Sequence, residues 1–415
     1  MTDPKPKPTV KRAPRTAAST SASSKATSRT KASGKPATKP APISKPAAKP
    51  AKPPKPSPAA KSAAKPASAR NPAARAVKQA PAAAEKARPR RIWISGATGF
   101  VGKAVVRVLR TRGDEVIASV RDLKKAADLT DMGVTVLEDD LSNVAITAEA
   151  LRDVDAAIHA AGSYRVGITR ADRGAMWDAN IGTTTRVLDA AESARTPRIV
   201  YVSTVGVFGN THGQAVDEAY RRNIREGFLS WYDETKFGAH EVVTQRARAG
   251  APIVTVQPSQ VYGPGDHTEI GEQLRLAHAG KLPYRALEEV GIGFVHVDDL
   301  ARGIVAALDL AFVPSTYILS GPRHRLGDAL AIAARLGGHA LPRLAVPSAL
   351  LRVIAPAGRL VGQPNLREVV SASAGVTYWA SADKATRELG FSPRPLEDGL
   401  RDTFEFEADS AYTPG

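Results

Sequence analysis

A tyrosine and a lysine four residues apart could carry out proton transfer in this chain of 415 residues. On a helix, residues i and i+4 lie on the same face, so Tyr232 and Lys236 would project together. An ammonium group beside a phenol stabilises the phenolate, which predicts a lowered pKa for Tyr232. Such a tyrosine can exchange a proton with a hydroxyl or carbonyl of a substrate. The spacing alone is common, so its meaning depends on the residues around it.

Two hydroxyl side chains could assist the tyrosine. Ser203 and Thr204 directly follow the apolar segment 198–202. A hydroxyl at the end of a strand could hydrogen-bond the reacting oxygen of a substrate and polarise it. Either residue could serve, and the alternative is that both satisfy only nearby backbone groups.

A glycine-rich turn follows the first apolar segment of the body and precedes a helical pattern. It has the form G-x-x-G-x-x-G, and the residues with which we expect it to bind a cofactor are Gly96, Thr98, Gly99, Phe100, Val101 and Gly102. The first glycine permits the tight turn, the second lets the backbone approach a pyrophosphate, and the third lets helix and strand pack closely. The N-terminus of the helix would face the phosphate charge.

The end of the second apolar segment bears on which dinucleotide binds. An acidic residue about 20 residues after the glycines binds the ribose diol of NAD, whereas an arginine accommodates the 2′-phosphate of NADP. Arg121 and Asp122 lie 19 and 20 residues after Gly102 and therefore favour opposite cofactors. Because Arg121 comes first and Lys124 and Lys125 follow, we expect NADP(H) rather than NAD(H).

A parallel sheet would bring these groups together. Apolar segments predict six strands, at 91–95, 115–120, 134–137, 155–159, 198–202 and 252–256, and helical patterns lie between most of them, notably at 176–194 and 230–249. Strands that alternate with helices predict right-handed crossovers and a doubly wound α/β fold. Ligands of such a sheet bind at the carboxyl ends of its strands.

The N-terminal segment differs from this body. Residues 1–90 hold 22 Lys or Arg, 2 acidic residues, 17 of the 31 prolines and no aromatic residue. Such a composition offers too little apolar surface to offset the ordering entropy, so residues 1–89 are predicted to be a disordered basic tail. The tail could be a spacer, an organelle transit peptide, or a non-specific and salt-sensitive contact to DNA or another polyanion.

Composition also excludes several classes of site. The chain has no cysteine, which excludes disulfides, thiolate nucleophiles and cysteine-ligated metals. His296 has no partner at metal-ligand spacing, so we expect no metal site. No apolar run is long enough to span a bilayer and no apolar leader begins the chain. We therefore expect a cytoplasmic protein without a membrane partner.

Residues 91 to about 405 resemble the extended short-chain dehydrogenase/reductase family, of the NAD(P)-dependent epimerase/dehydratase type. The matching motifs are Gly96–Gly102, Asp140-Leu141, His159-Ala160-Ala161, Asn180, Ser203-Thr204, Tyr232 with Lys236, and Pro258–Gly263. The resemblance implies a Rossmann-type domain over 90–410. Its cofactor-binding core would lie mainly at 91–262, and a smaller substrate-binding part mainly at 263–295 and 320–400.

The resemblance also implies a role for each matching residue. Aligning Val207-Phe208-Gly209 with the family's V-Y-G places the catalytic hydroxyl on Thr204 rather than Ser203. The implied catalytic residues are Thr204, Tyr232, Lys236 and Asn180, with Asn180 supporting a proton relay through Lys236. Tyr232 and Lys236 would also contact the cofactor. Asp140 and Leu141 would line the adenine pocket, Ala160 and Ala161 would run along the cofactor, and Pro258 and Val261 would flank its nicotinamide. Candidates for substrate contact are Ser203, Tyr164, Arg165 and Tyr262.

The segment Val120-Arg121-Asp122 resembles the branch of dihydroflavonol reductases and 3β-hydroxysteroid dehydrogenases. That branch implies an NADP(H)-dependent oxidoreductase that reduces a carbonyl, or oxidises a secondary alcohol, of a small-molecule substrate. One alternative is an NAD(P)-dependent sugar epimerase with a tightly held cofactor. Another is a non-catalytic dinucleotide-binding scaffold that the basic tail tethers to nucleic acid. The resemblance leaves a homodimer open.

Overall fold

A computed structural model describes residues 88–310, 314–361 and 365–409. The tail predicted at 1–89 lies outside the described residues, apart from Arg88 and Pro89. The strands of the described chain are β1 (Arg91–Ser95), β2 (Glu115–Val120), β3 (Thr135–Glu138), β4 (Ala156–His159), β5 (Ile199–Val202), β6 (Ile253–Pro258), β7 (Gln260–Tyr262), β8 (Arg285–Ala286), β9 (Gly291–His296), β10 (Ser315–Leu319), β11 (Arg323–Arg325) and β12 (Ala345–Val346).

The helices of the described chain are α1 (Phe100–Arg112), α2 (Ala127–Asp131), α3 (Val144–Ala150), α4 (Arg173–Trp177), α5 (Thr183–Ser193), α6 (Trp231–Arg248), α7 (Glu269–His278), α8 (Val297–Asp309), α9 (Leu326–Leu336), α10 (Ser348–Ile354), α11 (Leu366–Ser373), α12 (Asp383–Leu389) and α13 (Leu396–Asp409). Short 3₁₀ turns lie at Leu123–Lys125, Val205–Phe208, Ile224–Glu226 and Ala355–Val361, and a π-helical turn at Asp178–Gly182 joins α4 to α5.

Seven strands form a parallel sheet in the order β10-β6-β5-β4-β1-β2-β3. This sheet confirms the predicted doubly wound Rossmann-type fold and contains all six predicted strands. The seventh, β10, lies at an edge and pairs with β6, with Leu319 opposite Pro258. The sequence prediction missed β10 because this short strand arrives only after the chain has left the sheet to form β7 and β9.

Alternate residues of β1 enter different cores, as the pleat of a strand requires. Ile92 and Ile94 pack with residues of α1 and α8, whereas Trp93 packs with residues of α5 and α6 on the opposite face. All three side chains are fully buried. Helices therefore cover both faces of the sheet and leave the carboxyl ends of its strands for ligands.

A smaller part of the fold follows β6. The strands β11, β9 and β7 form one sheet and β12 pairs with β8 in another. Phe294 and Leu330 belong to the core that α7, α9 and α13 share with β9. A separate small core beneath α10 and α11 contains Ala355, Val370 and Ala374.

Candidate functional site

The glycine turn after β1 is shaped by close approaches of backbone to backbone. Gly96 has φ +76°, and a Cβ there would lie 2.7 Å from the Ala161 nitrogen. A Cβ at Gly102 would lie 2.0 Å from the Gly96 carbonyl oxygen. Only glycine fits at either position, so the turn stays close to the backbone that follows β4. The free N–H groups at the start of α1 fit the pyrophosphate of a dinucleotide.

The predicted residues of the turn lie between the end of β1 and the first turn of α1. Thr98 and Gly99 precede α1, and Phe100 and Val101 begin it. The Gly99 N–H donates to the Gly96 carbonyl oxygen at 3.0 Å, which closes the turn. Gly99 is exposed and presents its backbone to solvent.

The residues after β2 differ in what their side chains do. The Asp122 carboxylate accepts a hydrogen bond from the Lys124 backbone N–H at 3.0 Å and caps a 3₁₀ turn. Arg121 is exposed at the carboxyl end of β2, the strand that pairs directly with β1. The Asp122 carboxylate thus makes a local hydrogen bond, while the Arg121 side chain is exposed.

A buried carboxylate that the sequence analysis missed organises the end of β3. Asp139 accepts hydrogen bonds from the Ser119 hydroxyl at 3.1 Å and the Thr147 hydroxyl at 3.0 Å. It also accepts from the Leu141 N–H at 2.9 Å. Leu141 has φ +64° and a buried side chain. Asp140 is exposed, and hydrogen bonds from Ser142 lower the pKa of its carboxyl.

A buried histidine ends β4, immediately before Ala160 and Ala161. The His159 ring lies 2.7 Å from the Ser95 hydroxyl and 3.1 Å from the Thr184 hydroxyl. Burial, with a smaller contribution from the Lys236 charge, lowers the pKa of His159 to about 3. This ring is therefore neutral at physiological pH and ties β1 and β4 to α5 rather than transferring protons.

Asn180 lies in the π-helical turn and is buried. Its amide nitrogen donates to the Ser163 carbonyl oxygen at 3.1 Å and to the Thr235 hydroxyl at 3.0 Å, and its oxygen accepts from the Ser163 N–H at 2.8 Å. Gly162 lies between this amide and Lys236, since a Cβ at Gly162 would be 3.2 Å from Asn180 Oδ1 and 3.9 Å from Lys236 Nζ. Asn180 therefore joins the loop after β4 to the helix that carries Tyr232.

The two hydroxyl residues after β5 have different partners. The Ser203 hydroxyl is buried and lies 3.1 Å from Nδ1 of His240. The Thr204 hydroxyl accepts from the Gly206 N–H at 3.1 Å, and Thr204 lies near enough to Tyr232 to lower the pKa of its hydroxyl. The hydroxyl beside the tyrosine is thus that of Thr204, whereas the Ser203 hydroxyl is hydrogen-bonded to His240.

Lys236 occupies the second turn of α6, and Ser230 caps that helix through the Asp233 N–H. The Lys236 ammonium is buried and donates to the Val202 carbonyl oxygen at 3.3 Å. Burial lowers the pKa of Lys236 to about 8. A lysine held in this way titrates near physiological pH and sits at the carboxyl end of β5.

Tyr232 does not have the lowered pKa that the sequence analysis predicted. Burial raises its pKa above the ordinary value, the neighbouring Tyr164 raises it further, and the Thr204 side chain lowers it. The Lys236 ammonium donates to the β5 carbonyl instead. In the chain alone, burial therefore outweighs the stabilisation of the phenolate.

Two other aromatic residues lie against the tyrosine. The Tyr164 ring meets the Tyr232 ring edge-on at a centroid distance of 4.8 Å, and Tyr164 is 50% exposed. Tyr378, which the sequence analysis did not identify, lies near Tyr164 and Tyr232. Burial raises the pKa of Tyr378, and these two tyrosines are among the neighbours that raise it further. Its hydroxyl donates to the Ala372 carbonyl oxygen at 2.8 Å. These rings make one side of the site apolar.

Tyr262 does not lie where the prediction placed it. It is 1% exposed and packs against Phe294 and His296 in the core of the smaller part. As the last residue of β7, it points into that core rather than toward Tyr232. Pro258 is buried at the end of β6 and Val261 is half-buried on β7, beyond the carboxyl end of the large sheet. The predicted candidate Arg165 is exposed beside Tyr164.

The model of the "NAD dependent epimerase/dehydratase family" matches residues 92–319. The chain belongs to this family. The match confirms the predicted resemblance and covers the glycine turn, Asn180, Thr204, Tyr232 and Lys236. Its members are NAD(P)-dependent oxidoreductases and epimerases of the extended short-chain dehydrogenase/reductase type, and so is this enzyme.

Relatives of this enzyme include a Synechocystis protein called "Putative dihydroflavonol 4-reductase". It is 28% identical over 335 residues, which cover 77% of this chain and 95% of the relative. "Sterol demethylase protein B" of Methylococcus capsulatus is 30% identical over 266 residues, which cover 63% of this chain and 79% of the relative. Among solved structures, that of gox2253 has 29% identity and a TM-score of 0.67 and covers 77% of this chain and 98% of its own.

UDP-glucuronic acid 4-epimerase of Bacillus cereus, solved with NAD and a substrate analogue, shares the fold. Its TM-score is 0.63 at 19% identity, and the match covers 78% of this chain and 100% of the epimerase.

A carboxylate of the smaller part of this enzyme contacts the first residue of α6. Glu368 of α11 is buried and accepts from the Trp231 N–H at 2.5 Å, at the first residue of α6. It also accepts from the Asn365 side chain at 2.7 Å, and that same amide nitrogen donates to the Ile168 carbonyl oxygen at 3.2 Å. These contacts join α11, α6 and the loop that carries Tyr164.

A buried ion pair holds the loop that precedes α6. The Arg222 guanidinium binds both carboxylate oxygens of Asp233, one of them at 2.6 Å, and the two side chains are each 5% exposed. Arg222 also donates to the Gly227 carbonyl oxygen at 2.9 Å and lies over the Phe228 ring. Asp233 directly follows Tyr232, so this pair holds the backbone beside the tyrosine predicted to be catalytic.

Proposed function

We propose that this enzyme is an NADP(H)-dependent reductase that converts a ketone of an apolar, ring-containing small molecule to a secondary alcohol, or runs the reverse reaction. The observation that carries the proposal is the hydrogen bond from Lys236 to the Val202 carbonyl oxygen, which brings the first turns of α6, with Tyr232, next to the end of β5, where Thr204 lies. Thr204 and Tyr232 would present two hydroxyl donors there, and a substrate oxygen could accept from both.

In reduction, the bound cofactor supplies hydride to the carbonyl carbon. The Thr204 hydroxyl would hold the carbonyl oxygen and polarise it. The Tyr232 hydroxyl would donate its proton to that oxygen as negative charge develops there. Lys236 would contact the ribose beside the nicotinamide and, in its charged form, stabilise the tyrosinate that proton donation leaves. Asn180 would hold the loop after β4 in place beside Lys236.

Two observations support NADP(H) as the cofactor. One carboxylate oxygen of Asp122 accepts from the Lys124 N–H and caps the local turn, which leaves Asp122 fewer acceptor positions for a ribose diol. The exposed Arg121 guanidinium matches the bidentate hydrogen bonding of a phosphate.

The nature of the substrate rests on the aromatic side of the site. Tyr164 is half-exposed beside Tyr232, and an apolar ring would bury its free face. The names of the Synechocystis and Methylococcus relatives refer to a dihydroflavonol and a sterol, both of which are polycyclic compounds. A sugar epimerase is the second candidate, which the fold of the Bacillus cereus enzyme supports.

The test follows the oxidation of NADPH and of NADH by the purified full chain with a panel of aryl, alicyclic and sterol ketones. We expect turnover with NADPH, and Tyr232→Phe should lower it roughly a hundredfold or more while cofactor binding persists. Thr204→Ala should lower turnover much more than Ser203→Ala. Arg121→Ala should weaken NADPH binding far more than NADH binding.

The same preparation distinguishes the epimerase. An epimerase would retain NAD through purification and interconvert nucleotide sugars without net consumption of cofactor. That result, or turnover unaffected by Tyr232→Phe, would contradict the proposed reductase.

A further inference from the structure

Four aliphatic side chains are exposed together on α10 and just before it. Leu344 is 62% exposed, Leu350 49%, Val353 75% and Ile354 38%. Leu350, Val353 and Ile354 have the spacing i, i+3 and i+4, which places them on one side of the helix. The other large apolar residues exposed in the described chain are scattered over different elements. Exposed apolar side chains grouped in this way, unlike single ones, are typical of an interaction site.

The opposite side of α10 is already packed. Leu351 and the adjoining Ala355 belong to the small core that contains Val370 and Ala374 of α11. The helix is therefore apolar on two sides. Because one side packs against the small core, the stripe of Leu350, Val353 and Ile354 is left exposed. An ordinary surface helix would carry polar residues on that outer side.

The charge of this segment has one sign. Residues 340–367 contain four arginines and no Asp or Glu, whereas residues 91–415 as a whole have a net charge of −3. Arg352 and Arg367, together with Ser371, line an open groove of about 490 Å³ beside α10. Arg352 donates to the Ala374 carbonyl oxygen at 3.1 Å and has no carboxylate partner in the described part of the chain. At the N-terminus of α10, Glu289 accepts a hydrogen bond from the Ser348 hydroxyl.

We propose that this surface, defined by Leu344, Leu350, Val353, Ile354, Arg352 and Arg367, binds the surface of an anionic lipid bilayer. The aliphatic side chains would enter the boundary between headgroups and acyl chains, and the guanidinium groups would bind lipid phosphates. The N-terminal 90 residues, with a net charge of +20, supply a second electrostatic attraction to the same lipids. Stable attachment without a spanning helix usually needs two such signals.

A membrane surface suits these residues better than a second copy of the chain. In a twofold-symmetric dimer the same patch meets itself, which would place arginines opposite arginines with no acidic residue of 340–367 to pair with them. The proposal revises the expectation of no membrane partner. That expectation rested on the lack of a spanning segment, and no helix of the described chain has the length and hydrophobicity to cross a bilayer. The surface proposed here would lie on the membrane.

The experiment measures co-sedimentation of the full chain with phosphatidylcholine vesicles and with vesicles that also contain phosphatidylglycerol. We expect binding to the anionic vesicles, and a loss of roughly tenfold or more in affinity for Val353→Asp, because an aspartate cannot enter the acyl boundary. Arg352→Gln combined with Arg367→Gln should also weaken binding. The matched control is Ile146→Asp, which charges an isolated exposed apolar residue on α3 that is 53% exposed. It should bind like the parent chain.

Dinucleotide binding and circular dichroism verify that each variant is folded. The basic tail is present in every variant, so equal binding of Val353→Asp and the parent would assign the attraction to the tail alone and overturn the proposal. Binding to neutral vesicles as tight as to anionic ones would overturn the role of the arginines. A parent chain that is dimeric by light scattering, becomes monomeric with Val353→Asp and shows no change in vesicle binding would identify the surface as a dimer interface.

Discussion

The two sides of the active site are built from different kinds of contact. On the cofactor side, backbone meets backbone, as where Gly102 approaches the Gly96 carbonyl. On the substrate side, side chains from distant segments meet, as where Glu368 accepts from the Trp231 N–H. A close contact between two backbones allows only glycine, so the residue there cannot change. Contacts between side chains can be changed one residue at a time. A family can thus keep one cofactor site while its substrate site changes.

The largest effect should come from Gly102→Ala. Its new Cβ would lie 2.0 Å from the Gly96 carbonyl oxygen, and neither backbone can move without opening the turn. We expect a loss of more than about 4 kcal/mol in the free energy of unfolding, together with loss of cofactor binding. The control is Gly174→Ala in α4, where nothing lies within 4 Å of the added Cβ. Chemical denaturation measures the stabilities of the two variants. Equal stabilities would refute the close-packed turn.

The next effect should come from Arg222→Met, which leaves the Asp233 carboxylate buried without its partner. The expected loss is about 3–5 kcal/mol in the free energy of unfolding, with a lower turnover because Asp233 adjoins Tyr232. Arg246→Met is the matched control, since Arg246 pairs with Asp189 and Glu192 at the surface. The control should lose less than about 1 kcal/mol. Similar losses in the two variants would mean that the buried ion pair contributes no more to stability than the surface pair does.

A smaller effect separates the two sides of the site. Glu368→Ala leaves the Trp231 N–H without its acceptor and should cost about 1–3 kcal/mol of stability. Because Glu368 belongs to the substrate side, we expect a changed KM and kcat for the ketone with an unchanged Kd for NADPH. Glu368→Gln keeps an acceptor oxygen and should restore most of the activity. A changed NADPH affinity in Glu368→Ala would show that the two sides are not separable.

The smallest effect concerns Lys236. Burial lowers its pKa to about 8, so its ammonium is present below that pH and is lost as the pH rises through it. We expect NADPH affinity to fall by roughly tenfold between neutral pH and pH values above about 8, because a charge-assisted hydrogen bond is lost. Isothermal titration across this range measures the change, and Lys236→Met should bind weakly at every pH. A flat profile in the parent chain would remove Lys236 from cofactor binding.

The same contrast explains what could be predicted from the sequence. The glycine turn was predictable because its backbone requires glycine at fixed spacing, and the apolar segments predicted six of the seven strands of the large sheet. Tyr378 and Glu368 were not predictable, because they lie more than a hundred residues beyond Tyr232 in the sequence and no local pattern marks them. The raised pKa of Tyr232 was missed since burial is a tertiary property. Tyr262 was misplaced because a strand residue beside a sheet edge can point into either of two layers.

The π-helical turn at Asp178–Gly182 has a consequence for how this site could have arisen or could be lost. A π turn is an α-helix that holds one extra residue, and such turns often lie at functional sites. Removing a single residue there would restore a regular α-helix and leave the residues on either side on their present faces. Thr184 could then still face His159, whereas the widened turn in which Asn180 meets the Ser163 loop would be lost. A change of one residue in length at this turn would therefore act on the contacts of Asn180 and leave the packing of α5 in place.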